Sequence, residues 1–209
     1  LPVRRLAAAL VLAATALTVV TFAARGGGDG DPPDQPQRRP VAVASVTPPA
    51  PADLRYAREM VAHHEQAVRM SRSMLAKPGL PERIRDLAGF IAQDQQREID
   101  ETNAWLTAWG EQSAAGHEHG HGAGAGMLTP AQLTSIDAAA GGTAVRLYLT
   151  GMIEHHRGAV TMSRELLDGG GRNVYIHGLA KHVINEQTTE IDAMTGMLPA
   201  GTVSGAAGA

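Results

Sequence analysis

The chain of 209 residues contains no cysteine, which excludes disulfides and a lipid-modified cysteine near its start. Aromatic residues are also scarce, at 3%. A sheet-based core would draw on aromatic and β-branched side chains, whereas this chain takes its apolar content mainly from Ala, Leu, Ile and Met. A bundle of helices is the more natural fold. A strong excess of either charge is missing too: the formal net charge is -3, and Lys and Arg are scattered. Without a basic footprint, nucleic acid is not an expected partner. No nucleophile paired with a base, phosphate-cradling loop or open zinc signature is present, so binding rather than catalysis is the expectation.

One long uncharged run exists. Arg4 and Arg5 precede nineteen residues without charge, Leu6 to Ala24. A membrane span needs about 20 apolar residues and a cleavable signal core about 7 to 15. Residues 1–24 are therefore expected to be a signal sequence or an N-terminal membrane anchor, with the arginines inside and the rest of the chain outside the cytoplasm. Residues 25–52 are dense in Gly and Pro and read as a tether. Residues 199–209 read as a fraying Gly/Ala tail.

Between them the chain writes one unit twice. Tyr56 to Leu75, YAREMVAHHEQAVRMSRSML, returns as YLTGMIEHHRGAVTMSRELL from Tyr148 to Leu167, with ten of the twenty positions identical. The offset of 92 (148 minus 56) continues without a gap, so repeats 56–106 and 148–198 are copies of a two-helix unit within a domain spanning 53–198. Asp53 is the expected cap of the first helix, which stops at Lys77-Pro78-Gly79; Pro81 opens the second. Thr129-Pro130 starts a short helix before the second copy. Two hairpins joined by one long connection give an all-α, four-helix bundle.

The repeat places chemistry on the buried face. Tyr56, Met60, His63, Ala67, Met70 and Met74 step by three and four, and His64 lies in the adjacent inward row. The second copy repeats this with Met152, His155, His156 and Met162. On the partner helices, polar Gln95 and Glu98 interrupt an apolar stripe, as do Gln187 and Glu190. Met194 lies further along the last helix, which also carries His177, His182 and Glu186. Imidazole suits several transition metals, while thioether is soft and prefers Cu(I) or Ag(I). The combination makes Met60, His63, His64, Met70, Met152, His155, His156 and Met162 the candidate ligands and copper, favoured as Cu(I), the expected cargo. Gln95, Glu98, Gln187, Glu190 and Met194 are secondary candidates. A third set, His117, His119 and His121, alternates through the Gly/Ala linker 110–126.

Two other readings stay open. The histidines can be core residues merely hydrogen-bonded to Gln95 or Glu98, making a structural or partner-binding bundle. Alternatively, Asp94 with Glu98 and Glu186 with Glu190, each pair four residues apart, can serve a carboxylate-bridged redox enzyme of ferritin-like type. Such sites use Glu-x-x-His, whereas the positions three before the histidines are Met60, Val61, Met152 and Ile153.

The paired Met-x-x-His-His-x-x-Ala-Val-x-Met segments at Met60 and Met152, followed by Gln-x-x-Glu-Ile at Gln95 and Gln187, resemble the family called domain of unknown function 305. The resemblance covers about Asp53 to Leu198. It implies a ferritin-like four-helix bundle in exported bacterial proteins, one relative being a periplasmic copper-binding protein. Carried over by position, it implies Met60, His63, His64, Met70, Met152, His155, His156 and Met162 as the metal-binding set.

Overall fold

The computed structural model describes residues 48–111 and 126–198. The expected export segment, nearly all of the tether, the linker histidines and the tail lie outside these residues. Among the described residues no helix is long and apolar enough to cross a membrane. The described chain is all-α: α1 (Pro51–Leu75), α2 (Glu82–Ala108), a short α3 (Pro130–Ala138), α4 (Gly141–Gly169) and α5 (Val174–Met197).

The first helix starts earlier than the sequence suggested. Pro51 takes the first helical position, where its missing N–H costs nothing, so the expected tether boundary at residue 52 moves back to 50. Asp53 is therefore not the cap but the third helical residue. Its fully buried carboxylate accepts the Ala50 amide at 2.7 Å. It also accepts the Arg172 and Asn173 amides at 3.0 to 3.1 Å, fastening the start of α1 to the turn before α5. Asn173 itself caps α5 through bonds from the Tyr175 and Ile176 amides. Thr129 caps α3 as expected, in a reciprocal box with Gln132. The helix α4 stops at Gly170, whose φ of 111° is open to glycine and strained for other residues.

Each long helix packs on its hairpin partner, α1 on α2 and α4 on α5, and the hairpins meet chiefly along α1 and α4. Two buried bonds fix that crossing: Tyr56 Oη with Ser163 Oγ at 2.8 Å and Tyr148 Oη with Ser71 Oγ at 2.9 Å. Because 56 plus 92 is 148 and 71 plus 92 is 163, these are one interaction made twice about a local two-fold axis. Apolar side chains gather on both sides of this level. One cluster holds Met70, Met74, Ile91, Tyr148 and Met152; the other holds Tyr56, Met60, Ile99, Leu106 and Val183. Burial of each such large side chain is worth about 1.5–3 kcal/mol, so apolar packing supplies the framework in which a polar middle layer can be held.

The short α3 and the residues before it lie over α1 and α4. Leu128, Leu133 and Ile136 are buried there. The Gln66 side chain accepts the Leu128 amide and donates to its carbonyl, as a neighbouring strand would. Gly151 makes the approach possible: a Cβ there would meet Leu128 Cδ2 at 2.8 Å.

Candidate metal centre

The four histidines of the repeat meet at the level of the two-fold axis. His63, His64, His155 and His156 are each no more than 1% exposed. The rings of His63 and His155 lie face to face with centroids 3.6 Å apart and planes tilted by 36°. His64 and His156 point to the partner helices. His64 Nε2 donates to Glu98 Oε2 at 2.6 Å, and His156 Nε2 donates to Glu190 Oε2 at 2.7 Å. A carboxylate accepting the Nε2 proton fixes the tautomer and leaves Nδ1 with a lone pair. In both residues Nδ1 is buried and meets no hydrogen-bond partner among the described residues.

This layer holds more orphaned polar atoms than a packing role explains. Neither ring nitrogen of His155 has a hydrogen-bond partner among the described residues, nor does either amide atom of Gln95 or the Oε1 of Gln187. Gln95 and Gln187 are 3% and 2% exposed. Native proteins leave few such groups, because each costs about 1–3 kcal/mol of desolvation. Burial holds His155 well below the ordinary histidine range, and the adjacent His63 and His156 imidazoles reinforce this. It is neutral at physiological pH, as a metal ligand must be.

The thioethers divide. Met60, Met70 and Met152 are buried, and Met194 is fully buried in the same cluster as Met70 and Met152. Met162 is the exception: the repeat makes it equivalent to Met70, yet it is only partly buried, at the edge of the other cluster. The sequence-predicted histidines thus come together as an imidazole layer with carboxylate partners, and the methionines lie in apolar clusters of the same helices. The direct Glu98 and Glu190 bonds are what the hydrogen-bonded reading of the histidines anticipated. The orphaned nitrogens are not.

Reasoning from the repeat did not single out a second gathering. Asp94, Glu98, His182 and Glu186, from α2 and α5, offer ligand atoms that all lie within 4.8 Å of one another. His182 Nε2 stands 2.7 Å from Glu186 Oε2 and 3.2 Å from Glu98 Oε1. Burial favours the neutral form of Glu98, but the His64 hydrogen bond, with the electrostatic influence of the neighbouring His64, His182 and Arg97 side chains, outweighs it and keeps the carboxyl below its usual range. Glu186 moves the other way: burial, with repulsion from Glu190 and Glu98, raises it despite His182. The available signal was the pair of i,i+4 steps, Asp94 to Glu98 and His182 to Glu186.

Comparison with known proteins fits this geometry. The family described as Domain of unknown function (DUF305) matches residues 53–198. A DUF305 fragment from Deinococcus radiodurans superposes with a TM-score of 0.66 at 28% identity, covering 72% of this chain and 97% of that one. A DUF305 protein of Streptomyces coelicolor, described as secreted, gives 0.63 at 32% identity, covering 70% and 90%. CopM in its Cu(I)-bound form gives 0.57 at 26% identity, covering 69% and 94%; its Cu(II)- and silver-bound forms also match. Among curated protein sequences, none matches this chain.

Proposed function

The chain belongs, through residues 53–198, to the DUF305 family, and from that premise we propose that it is an extracytoplasmic, non-catalytic metal-binding protein that takes up Cu(I) or Ag(I) for copper handling. One observation carries the reading: a buried layer in which His64, His155 and His156 keep ring nitrogens without hydrogen-bond partners among the described residues while Glu98 and Glu190 orient two of the rings. Buried imidazoles oriented by carboxylates are a metal-ready arrangement. The thioethers of Met60, Met70 and Met152 beside this layer, with Met162 at its margin, tilt selection to the soft monovalent ions. The copper- and silver-bound states of CopM support the same choice. Extracytoplasmic placement rests on Arg4, Arg5 and the uncharged run behind them, and is supported by the S. coelicolor relative.

The test separates nitrogen from sulfur. In metal-free protein, replacing His64 and His156 with Ala weakens Cu(I), Ag(I), Cu(II) and Zn(II) together. The double change Met60→Leu and Met152→Leu conserves volume and costs under about 1.5 kcal/mol as packing. It lowers Cu(I) and Ag(I) affinity at least tenfold while the two divalent ions change little. Competitive titration against a Cu(I) chelator reads this directly, and undiminished Cu(I) binding by the double Met variant would return these methionines to the core. Metal content after growth in copper, zinc and iron distinguishes the redox-enzyme reading, which expects iron.

A further inference from the structure

We propose that Asp94, Glu98, His182 and Glu186 form a second metal site, separate from the imidazole layer, that binds one divalent first-row cation of the Zn(II) class at the α2–α5 interface. The proposal does not rest on the copper reading. Three carboxylates and one imidazole are a harder donor set than His with Met, so this site selects against Cu(I) and for divalent ions. Its ligand atoms lie within 4.8 Å of each other. Tetrahedral bonds of about 2.0–2.2 Å to a central ion put the donors about 3.4 Å apart, so the widest pair must close by up to about 1.4 Å. The side chains that must move are the freer ones, His182 at 51% exposed and Glu186 at 22%.

Acidic residues close together do not by themselves make a site, and here an independent observation points inward. Glu98 is 6% exposed, and its Oε2 is committed to His64. The other oxygen, Oε1, is buried and accepts no hydrogen bond among the described residues; it faces His182 Nε2 in an ion-pair contact at 3.2 Å, on the cluster side. A carboxylate oxygen removed from water without a hydrogen bond is costly, and a cation shared with His182 would satisfy it. Asp94, equally buried, is paired with Arg97. Arg97 is 57% exposed and can swing into solvent when an ion enters. Access exists as well: Glu98 and His182 both line a groove of about 300 Å³ together with Arg97, Glu101, Tyr175 and Leu179.

The repeat explains why there is one such site and not two. The offset of 92 makes Asp94 and Glu186 equivalent to each other, and Glu98 equivalent to Glu190. The position equivalent to His182 is Phe90. The related face therefore lacks an imidazole, and among the described residues no second cluster of this kind occurs. Whereas the buried histidines were kept in both copies, this donor set was completed in one.

The experiment is a calorimetric titration of the full, metal-free chain with Zn(II), which is redox-inert and cannot convert to the soft monovalent state. Wild type is expected to take up a Zn(II) equivalent in addition to any held by the imidazole layer, one that Glu186→Gln and His182→Ala each weaken at least tenfold, while Cu(I) affinity stays within threefold. Glu186→Gln is nearly isosteric and partly exposed, so it reads the site even if the histidine variant folds poorly. A Zn(II) isotherm identical in Glu186→Gln and wild type overturns the proposal. A parallel loss of Zn(II) and Cu(I) in that variant also overturns it, because the two ions would then share one site.

Discussion

Replacing His155 with Leu tests whether the imidazole layer exists for a ligand, because the two roles predict opposite signs for stability. His155 is fully buried with neither ring nitrogen hydrogen-bonded among the described residues. Removing a buried, unsatisfied polar group relieves about 1–3 kcal/mol. The ring contact with His63, centroids 3.6 Å apart, is lost and takes back about 0.5–1.5 kcal/mol. The balance is a metal-free protein more stable by about 1 kcal/mol, or roughly 2–4 °C in Tm for a domain of this size. The pH dependence changes too. Because the folded protein holds His155 well below 6.5, the unfolded chain binds its proton first. Wild-type stability is then full above about pH 6.5 and declines as pH falls towards the depressed folded value, while the Leu variant lacks this component. Differential scanning of EDTA-washed protein at pH 7.5 and 5, with and without Ag(I), measures all of it. Wild type should gain Tm with Ag(I), and the variant little or none. A variant destabilised by more than about 2 kcal/mol that still gains stability from Ag(I) would refute the argument and make His155 a packing residue.

Two further outcomes follow from the same geometry. Glu190→Gln keeps the shape beside His156 but replaces the carboxylate that accepts its Nε2 proton at 2.7 Å; metal affinity should fall about 10- to 100-fold with little change in melting temperature, read by chelator competition. Asp137 on α3 accepts from Ser73 Oγ at 2.6 Å and from Arg69, while Lys77 Nζ donates to the Asp137 and Ala139 carbonyls. The Ser73 bond leads the effects that hold its carboxyl below the usual range. Its contribution is therefore present above the unfolded value near 3.9 and lost as pH falls through the lower folded one. Asp137→Asn should cost less than about 1 kcal/mol near neutrality, since the pairs are exposed, and this difference should shrink in urea titrations as pH falls below the unfolded value.

What the sequence made legible was whatever repeats or acts locally. The offset of 92 gave the hairpins, and Thr129-Pro130 gave the start of α3, because a cap and a proline act within four residues. Asp53 shows where such reasoning stops. It has the composition of a cap, but its partners at Arg172 and Asn173 are about 120 residues away, and no local pattern announces them. The histidines divide in the same way. Helical spacing placed them on the inward face, yet the stacking of His63 on His155 depends on how α1 crosses α4, which Tyr56 with Ser163 and Tyr148 with Ser71 set from across the bundle. Met162 marks the converse error, since sequence equivalence to Met70 does not guarantee equal burial when the surroundings differ. The Asp94–Glu98–His182–Glu186 cluster was hardest to see because it draws half its donors from each copy, and inspection of either repeat alone shows only a charged helix face. A duplicated chain doubles the residues at its symmetry axis without cost to the fold, so a single change away from the axis, His182 where Phe90 stands in the other copy, is enough to complete one donor set and leave its mate empty of imidazole. Sites of that kind are found by mapping each repeat onto the other and asking where the chemistry fails to match.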